Sequence, residues 1–275
     1  MLFGAHVSIQ GGIHNAPANA ADLGCDCFQI FSRSPRGGPA KSLSKEIIHA
    51  FREACERSGQ KAWYIHTPYY INLATNKRSL QSLSIRIVRE ELERGCAIGA
   101  DAVMTHMGSC GDDPKTGGLD RCIHAVTEVL TGYRGKTKLL VEIAAGSGGI
   151  IGSTFEELAC VVERTRGRCG VCFDTQHAFA SGYDLRTPRA VQNTVDEFDA
   201  VIGLQHLKLS HCNDSLTPLG SRKDRHSHIG EGLIGDKGFR AIVRNPRLQQ
   251  INLILETKPA GVTADLKLLK GFSKR

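Results

Sequence analysis

AWYIHTPYYINLATNKRSLQSLSIRIVREELERGCAIGADAVMTH, residues 62–106, reads as one complete strand–helix–strand unit. Its ends, AWYIH and AVMTH, are short aliphatic runs that each stop on a histidine. Between them SLSIRIVREELERGCAIGA repeats apolar residues three and four apart until glycine closes the segment, the spacing of an amphipathic helix. Two strands joined through a helix run parallel, so His66 and His106 leave the sheet at the same edge.

The pattern recurs along the chain. Strands are predicted near Leu2 to Val7, Cys27 to Phe31, Ala62 to His66, Ala102 to His106, Leu139 to Ile143, Gly170 to Asp174, Leu204 to His211 and Ile251 to Glu256. KEIIHAFREACERSG, from Lys45, is a second clear helical segment. Near-continuous apolar strands alternating with amphipathic helices imply a parallel sheet buried on both faces. Eight such units, roughly 34 residues each, predict a closed (β/α)8 barrel spanning residues 1–275 as a single domain, with functional groups at the carboxyl ends of its strands. A doubly wound sheet would string those groups along an edge instead of around a ring.

Nine potential metal ligands fall at or just after the strand ends: His66, His106, Glu142, Asp174, His177, His211, Asp224, His226 and Glu256. A single histidine at a strand end can simply bond a loop. Asp174 with His177, and Asp224 with His226, are more specific, because a carboxylate and an imidazole in one turn can chelate one ion. His14, His49 and His124 sit in helical patterns and read as surface or packing residues.

The bulk properties fit an intracellular enzyme. No uncharged apolar run approaches the roughly 18 residues of a membrane helix, and MLFGAHVSIQGG does not have the form of a secretory signal, so a cytoplasmic location is expected. Ten cysteines scattered through so long a chain are expected to be reduced thiols. Cys169 and Cys172 are three apart on a strand and project to opposite faces, whereas Cys25 and Cys27 could share one. The net charge of +7 favours a polyanionic partner. Two basic segments follow predicted strands on the ligand side: SRSPRGGPAK, with Arg33, Arg36 and Lys41, and GSRKDRHSH, with Arg222, Lys223 and Arg225. Both are expected to meet phosphate.

The segments GAHVSIQGG from Gly4, HTPYYINLA from His66, HMGS from His106, EIAAGSG from Glu142, FDTQHAFASGYD from Phe173, HCNDS from His211, GSRKDRHSHIGEG from Gly220 and LET ending at Thr257 together resemble the endonuclease IV family of apurinic/apyrimidinic endonucleases. That resemblance covers nearly the whole chain and implies a xylose-isomerase-like TIM barrel carrying three zinc ions, with manganese possible at one site. His66 and His106 would hold one ion, Asp174, His211 and Glu256 a second, with Glu142 bridging the two; His177, Asp224 and His226 would hold the third. It further implies a monomer acting on duplex DNA with abasic sites or blocked 3′ ends. Cleavage would fall 5′ to the abasic site, leaving a 3′-hydroxyl and a 5′-deoxyribose phosphate.

Glu142 and Glu256 are the carboxylates it places at the chemistry, while Arg36, Tyr69 and Tyr70 would touch DNA. Met107, Ile143, Ala144, Gln176 and Lys258 depart from the residues usual in the family, and His6 is a candidate supporting group or a core hydrogen-bonder. Two other readings share the strand-end acids and histidines: a metal-dependent sugar isomerase or epimerase on a related barrel, and a DNA lesion binder without catalysis.

Overall fold

The computed structural model describes residues 1–274 and closes eight parallel strands into a barrel. In chain order its strands and α-helices are β1 (Phe3–His6), α1 (Ala16–Asp22), β2 (Cys27–Ile30), α2 (Lys45–Arg57), β3 (Ala62–His66), α3 (Arg78–Ile98) and β4 (Ala102–Thr105). There follow α4 (Lys115–Leu130), β5 (Lys138–Glu142), α5 (Phe155–Arg164), β6 (Cys169–Asp174), α6 (Thr175–Ser181), α7 (Pro188–Val201) and β7 (Leu207–His211). The chain ends with β8 (Asp214–Ser215), β9 (His226–Ser227), α8 (Gly235–Arg244), β10 (Asn252–Leu255) and α9 (Val262–Ser273). Strands β1 to β7 lie side by side in sequence order, and β10 closes the ring by pairing with β7 and with β1.

Every predicted barrel strand is present: β3 has the expected ends, β5 and β6 begin one residue earlier, and the other strands are shorter than expected. The largest difference is before β7, where Leu204–His206 forms a 3-10 turn. There the chain is still leaving α7: Gly203 takes φ 90° and the Leu204 amide donates to Asp199 Oδ1 at 2.9 Å. The antiparallel β8–β9 ribbon, pairing Asp214 with Ser227 and Ser215 with His226, was outside the expectation because two residues are too few to show a period.

Alternation along the strands sorts the side chains into two layers. Cys27, Ala62, Tyr64, Ala102, Met104, Leu140, Cys172, Leu209 and Ile254 fill the barrel, while Phe28, Ile65, Val103, Val141, Val171 and Leu253 face the helices. Gly4 is required where β1 meets β2, since a Cβ there would lie 1.9 Å from the Cys27 carbonyl oxygen. Cys169 and Cys172 fall in opposite layers, as period two demands. Cys25 and Cys27 do not share a face: Cys25 precedes β2 and packs in the outer layer, whereas Cys27 lies inside the barrel.

Candidate metal centre

The same alternation aims the candidate ligands. Continuing each inner file by two residues leads from Tyr64 to His66, Met104 to His106, Leu140 to Glu142, Cys172 to Asp174, Leu209 to His211 and Ile254 to Glu256. Six inward side chains at the carboxyl ends of parallel strands must then meet over the top layer of the core.

They gather into overlapping groups whose potential ligand atoms lie within 4.8 Å of one another. His66, His106 and Glu142 form one, and Glu142, Asp174, His211 and Glu256 another. Glu142 is common to both: its Oε2 is 3.3 Å from His66 Nε2 and 3.6 Å from His106 Nε2, and its Oε1 is 2.8 Å from His211 Nδ1. A third group joins Asp174 to His177 and His226. Asp224, 62% exposed, approaches those two imidazoles from the solvent side, at 3.4 Å from His177 Nε2 and 3.3 Å from His226 Nε2. Cys172 also comes close to Glu142 and His211 from below.

A supporting layer fixes which nitrogen each ring presents. His66 Nδ1 donates to the Thr67 carbonyl at 2.6 Å and His177 Nδ1 to the Ile143 carbonyl at 3.0 Å, leaving His66 Nε2 toward Glu142 and His177 Nε2 toward Asp224. His211 is reversed: its Nε2 donates to Gln29 Oε1 at 2.8 Å, so Nδ1 is the inward atom. The same Gln29 amide donates to Glu256 Oε1 at 2.7 Å and to His6 Nδ1 at 3.0 Å. Asn213 donates to Asp174 Oδ2 at 2.8 Å and accepts from the Glu256 amide at 2.8 Å. His6 is therefore one step removed, behind Gln29 and 4.0 Å from Glu256.

Gln29 and Asn213 escaped the sequence reading. A fully buried polar residue inside the apolar run CFQIF was the available signal for Gln29. Of the departures from the family pattern, Ile143 and Ala144 act here through their carbonyls, which accept from His177 and Ser181. The Met107 carbonyl accepts from the Leu73 and Ala74 amides, and Lys258 is exposed. Gln176 alone brings its side chain to the support of the site, donating to the Lys223 carbonyl at 3.0 Å.

Charge in the cluster is coupled. Burial raises the Glu142 carboxyl, but His106, His211 and His177 outweigh it and hold the group well below the usual carboxylate range. Burial likewise opposes a charged His211 and His177, yet the surrounding acids leave both imidazoles well above their ordinary range. Asp224 is pulled down to about 2 by His177 and His226 against its own burial. His6, buried and only partly offset by Glu256, falls to about 4 and accepts from Gln29 as a neutral ring.

One atom tests whether these residues suit a cation. His226 Nε2 is buried without a hydrogen-bond partner, although Asp224 Oδ1 is 3.3 Å away. An orphaned ring nitrogen beside two carboxylates fits a position that would hold a cation. Mixed imidazole and carboxylate donors suit a borderline dication such as zinc better than the oxygen-preferring magnesium.

Around this centre the rim is uneven. Arg36 and Lys41 are exposed on the loop after β2, as are Arg222, Lys223 and Arg225 on the loop between β8 and β9. Arg33 does not join them. It turns inward and pairs with Glu91 at 2.5 Å and Glu90 at 2.8 Å, because a guanidinium in the first turn of the loop can satisfy the fully buried Glu91 of α3. Tyr69 is 71% exposed, its ring edge-on to Phe31 at 5.1 Å and 6.3 Å from His66. Tyr70 is half-buried and packs against the core at the rim. His14, His49 and His124 are exposed.

Residues 17–272 match the family model described as the xylose isomerase-like TIM barrel. The chain is 39% identical over 272 residues to the probable endonuclease 4 of Halothermothrix orenii, covering 98% of each, and 40% identical to that of Chlorobium phaeobacteroides, covering 98% and 97%. The crystal structure of endonuclease IV from Thermus thermophilus superposes with a TM-score of 0.89 at 34% identity, over 99% of this chain and 98% of that one. A D-tagatose 3-epimerase-like protein shares the fold at 20% identity with a TM-score of 0.73.

Proposed function

The chain belongs to the endonuclease IV family of nucleases, and on that premise we propose that it hydrolyses the phosphodiester 5′ to an abasic site in duplex DNA. The products would be a 3′-hydroxyl and a 5′-deoxyribose phosphate, and the chain would act as one catalytic unit and as a monomer. The observation that carries this reading is the sharing of Glu142 between two donor groups beside a third that contains an orphaned imidazole.

His66 and His106 would hold one zinc ion, and Asp174, His211 and Glu256 a second, with Glu142 common to both. His177, Asp224 and His226 would hold a third, with Asp174 close by; manganese could replace zinc at one site. Zinc bound there would supply water ionising near pH 7 and positive charge against the phosphate and the leaving oxygen.

The protein's own groups do the rest. Gln29 and Asn213 hold Glu256 and His211 in fixed orientations, so the donors need no reorganisation when substrate arrives. Glu256, 18% exposed at the mouth, would orient an attacking water, while the fully buried Glu142 spans the two donor groups. Arg36 and the exposed ring of Tyr69 would fill the gap beside an extruded sugar and pack on its neighbours. A nucleotide without a base costs less to extrude, which supplies part of the selectivity. Arg36, Lys41, Arg222, Lys223 and Arg225 offer phosphate contacts on the same rim.

The direct test is cleavage of a defined abasic duplex with analysis of both product ends, alongside metal analysis of the protein. Incision 5′ to the lesion by zinc-loaded protein is expected. Full activity in verified metal-free protein, or turnover of a reducing sugar with no incision, would overturn the assignment.

A further inference from the structure

One buried amide ties together the supports of three candidate ligands. Gln176 is fully buried in the first turn of α6, between Asp174, which caps that helix by accepting from the His177 amide at 2.8 Å, and His177 itself. Its Nε2 donates to the Lys223 carbonyl at 3.0 Å and lies 3.3 Å from Ser215 Oγ. Lys223 immediately precedes Asp224, and Ser215 pairs with His226 in the β8–β9 ribbon.

The orientation of this amide is determined by chemistry. A backbone carbonyl only accepts, so the atom facing Lys223 must be the NH2 group. The other end, Gln176 Oε1, is buried with no partner. Without the Lys223 bond the amide would keep only its longer bond to Ser215 Oγ, with Oε1 unsatisfied, in a site closed to solvent. Meanwhile Asp224 is 62% exposed, and among the described residues the only basic groups within ion-pair distance of its carboxylate are His177 and His226. Its position is therefore set by the backbone on either side, and that backbone is held at Lys223.

We propose that Gln176 is a positioning residue for metal at the outermost donor group: it locks the Lys223–Asp224 backbone to the helix that carries His177, and so sets the affinity for the third ion. This rests on the three-ion reading above. The effect is confined to one ion, because the rest of the loop has its own attachments to α6, Gly220 N to the Phe179 carbonyl at 3.0 Å and Arg222 N to the Ala180 carbonyl at 2.9 Å. His66, His106 and Glu142 lie on other strands and do not touch Gln176.

The test is a buffered zinc titration with chelator competition on parent and Gln176→Met, which keeps an unbranched side chain of similar length and removes the donor. The third ion should bind about 10–100-fold more weakly, the range usual for loss of a group that orients a ligand, with the first two unchanged. The unfolding midpoint of the metal-free protein should stay at the parent value, since the variant removes an unsatisfied carbonyl along with the bond. Thr217→Val, which removes the second donor to the same carbonyl (3.1 Å), should shift the third ion in the same direction and serves if Gln176→Met fails to fold.

Three zinc ions in the parent and an unchanged third affinity in the folded variants would overturn the inference alone. A fall in all affinities together with a lower metal-free midpoint would overturn it in favour of a packing role. A parent that takes up only two ions would overturn the three-ion reading and this inference with it.

Discussion

Gln29→Leu removes the amide on which the inner donor group hangs while keeping the side chain's approximate volume. In the metal-free protein two losses follow directly. The Nε2–H of fully buried His211 loses its acceptor at 2.8 Å, and Glu256 loses a charge-assisted donor at 2.7 Å. An unmet buried donor costs ~1–3 kcal/mol and a hydrogen bond to a charged group contributes ~1.5–3 kcal/mol. Both losses fall on groups whose orientation matters for a cation: with Nε2 released, the neutral ring that a cation must bind can keep its one proton on Nδ1, the nitrogen that faces Glu142 and Glu256.

Zinc affinity at Glu142, Asp174, His211 and Glu256 should therefore drop about 10–100-fold, roughly 1.4–2.7 kcal/mol, and incision should fall with it at limiting zinc. Chelator-buffered zinc titration with circular dichroism of the metal-free protein separates this effect from unfolding. A folded Gln29→Leu protein that binds zinc within about twofold of the parent, under 0.5 kcal/mol, would refute the orienting role.

Three further outcomes are expected. Glu142→Gln offers one neutral oxygen where the carboxylate offers two anionic ones, and should slow incision by well over tenfold, so a rate within about tenfold of the parent, 1.4 kcal/mol, would remove the bridging role. Arg36→Ala should weaken abasic-duplex binding with metal content unchanged, and Tyr69→Ala should do so with a smaller salt dependence; equal affinity of Arg36→Ala and parent at matched salt would take the loop out of the interface. Zinc uptake should depend on pH in a particular direction. His177 and His211 hold protons well above the ordinary imidazole range in the metal-free protein, so a cation must displace them and affinity must fall as pH is lowered. That dependence should persist above pH 7, where ordinary imidazoles with pKa about 6.5 are already neutral, and calorimetry in buffers of different ionisation enthalpy that shows no proton release there would contradict it.

The (β/α)8 barrel and all nine candidate ligands were legible in the sequence because both depend on period and position. A short aliphatic run ending in His, Glu or Asp fixes the strand, its direction and the end at which the group emerges, and no partner need be known. What surrounds those ligands depends on which strands become neighbours, and there residues far apart in sequence must be brought together. Gln29 meets Glu256 across 227 positions, and Arg33 meets Glu91 across 58. Thus Arg33, indistinguishable from Arg36 in a basic loop, became the buried partner of a helix, and an unremarked glutamine in β2 became the clasp of the inner donor group. Gln176, visible only as a departure from a family pattern, gained a role from a carbonyl 47 residues away. Local sequence sets the direction in which a side chain leaves its element, but only closure of the barrel determines what it finds there, because hydrogen bonding is satisfied over about 3 Å of space regardless of separation along the chain.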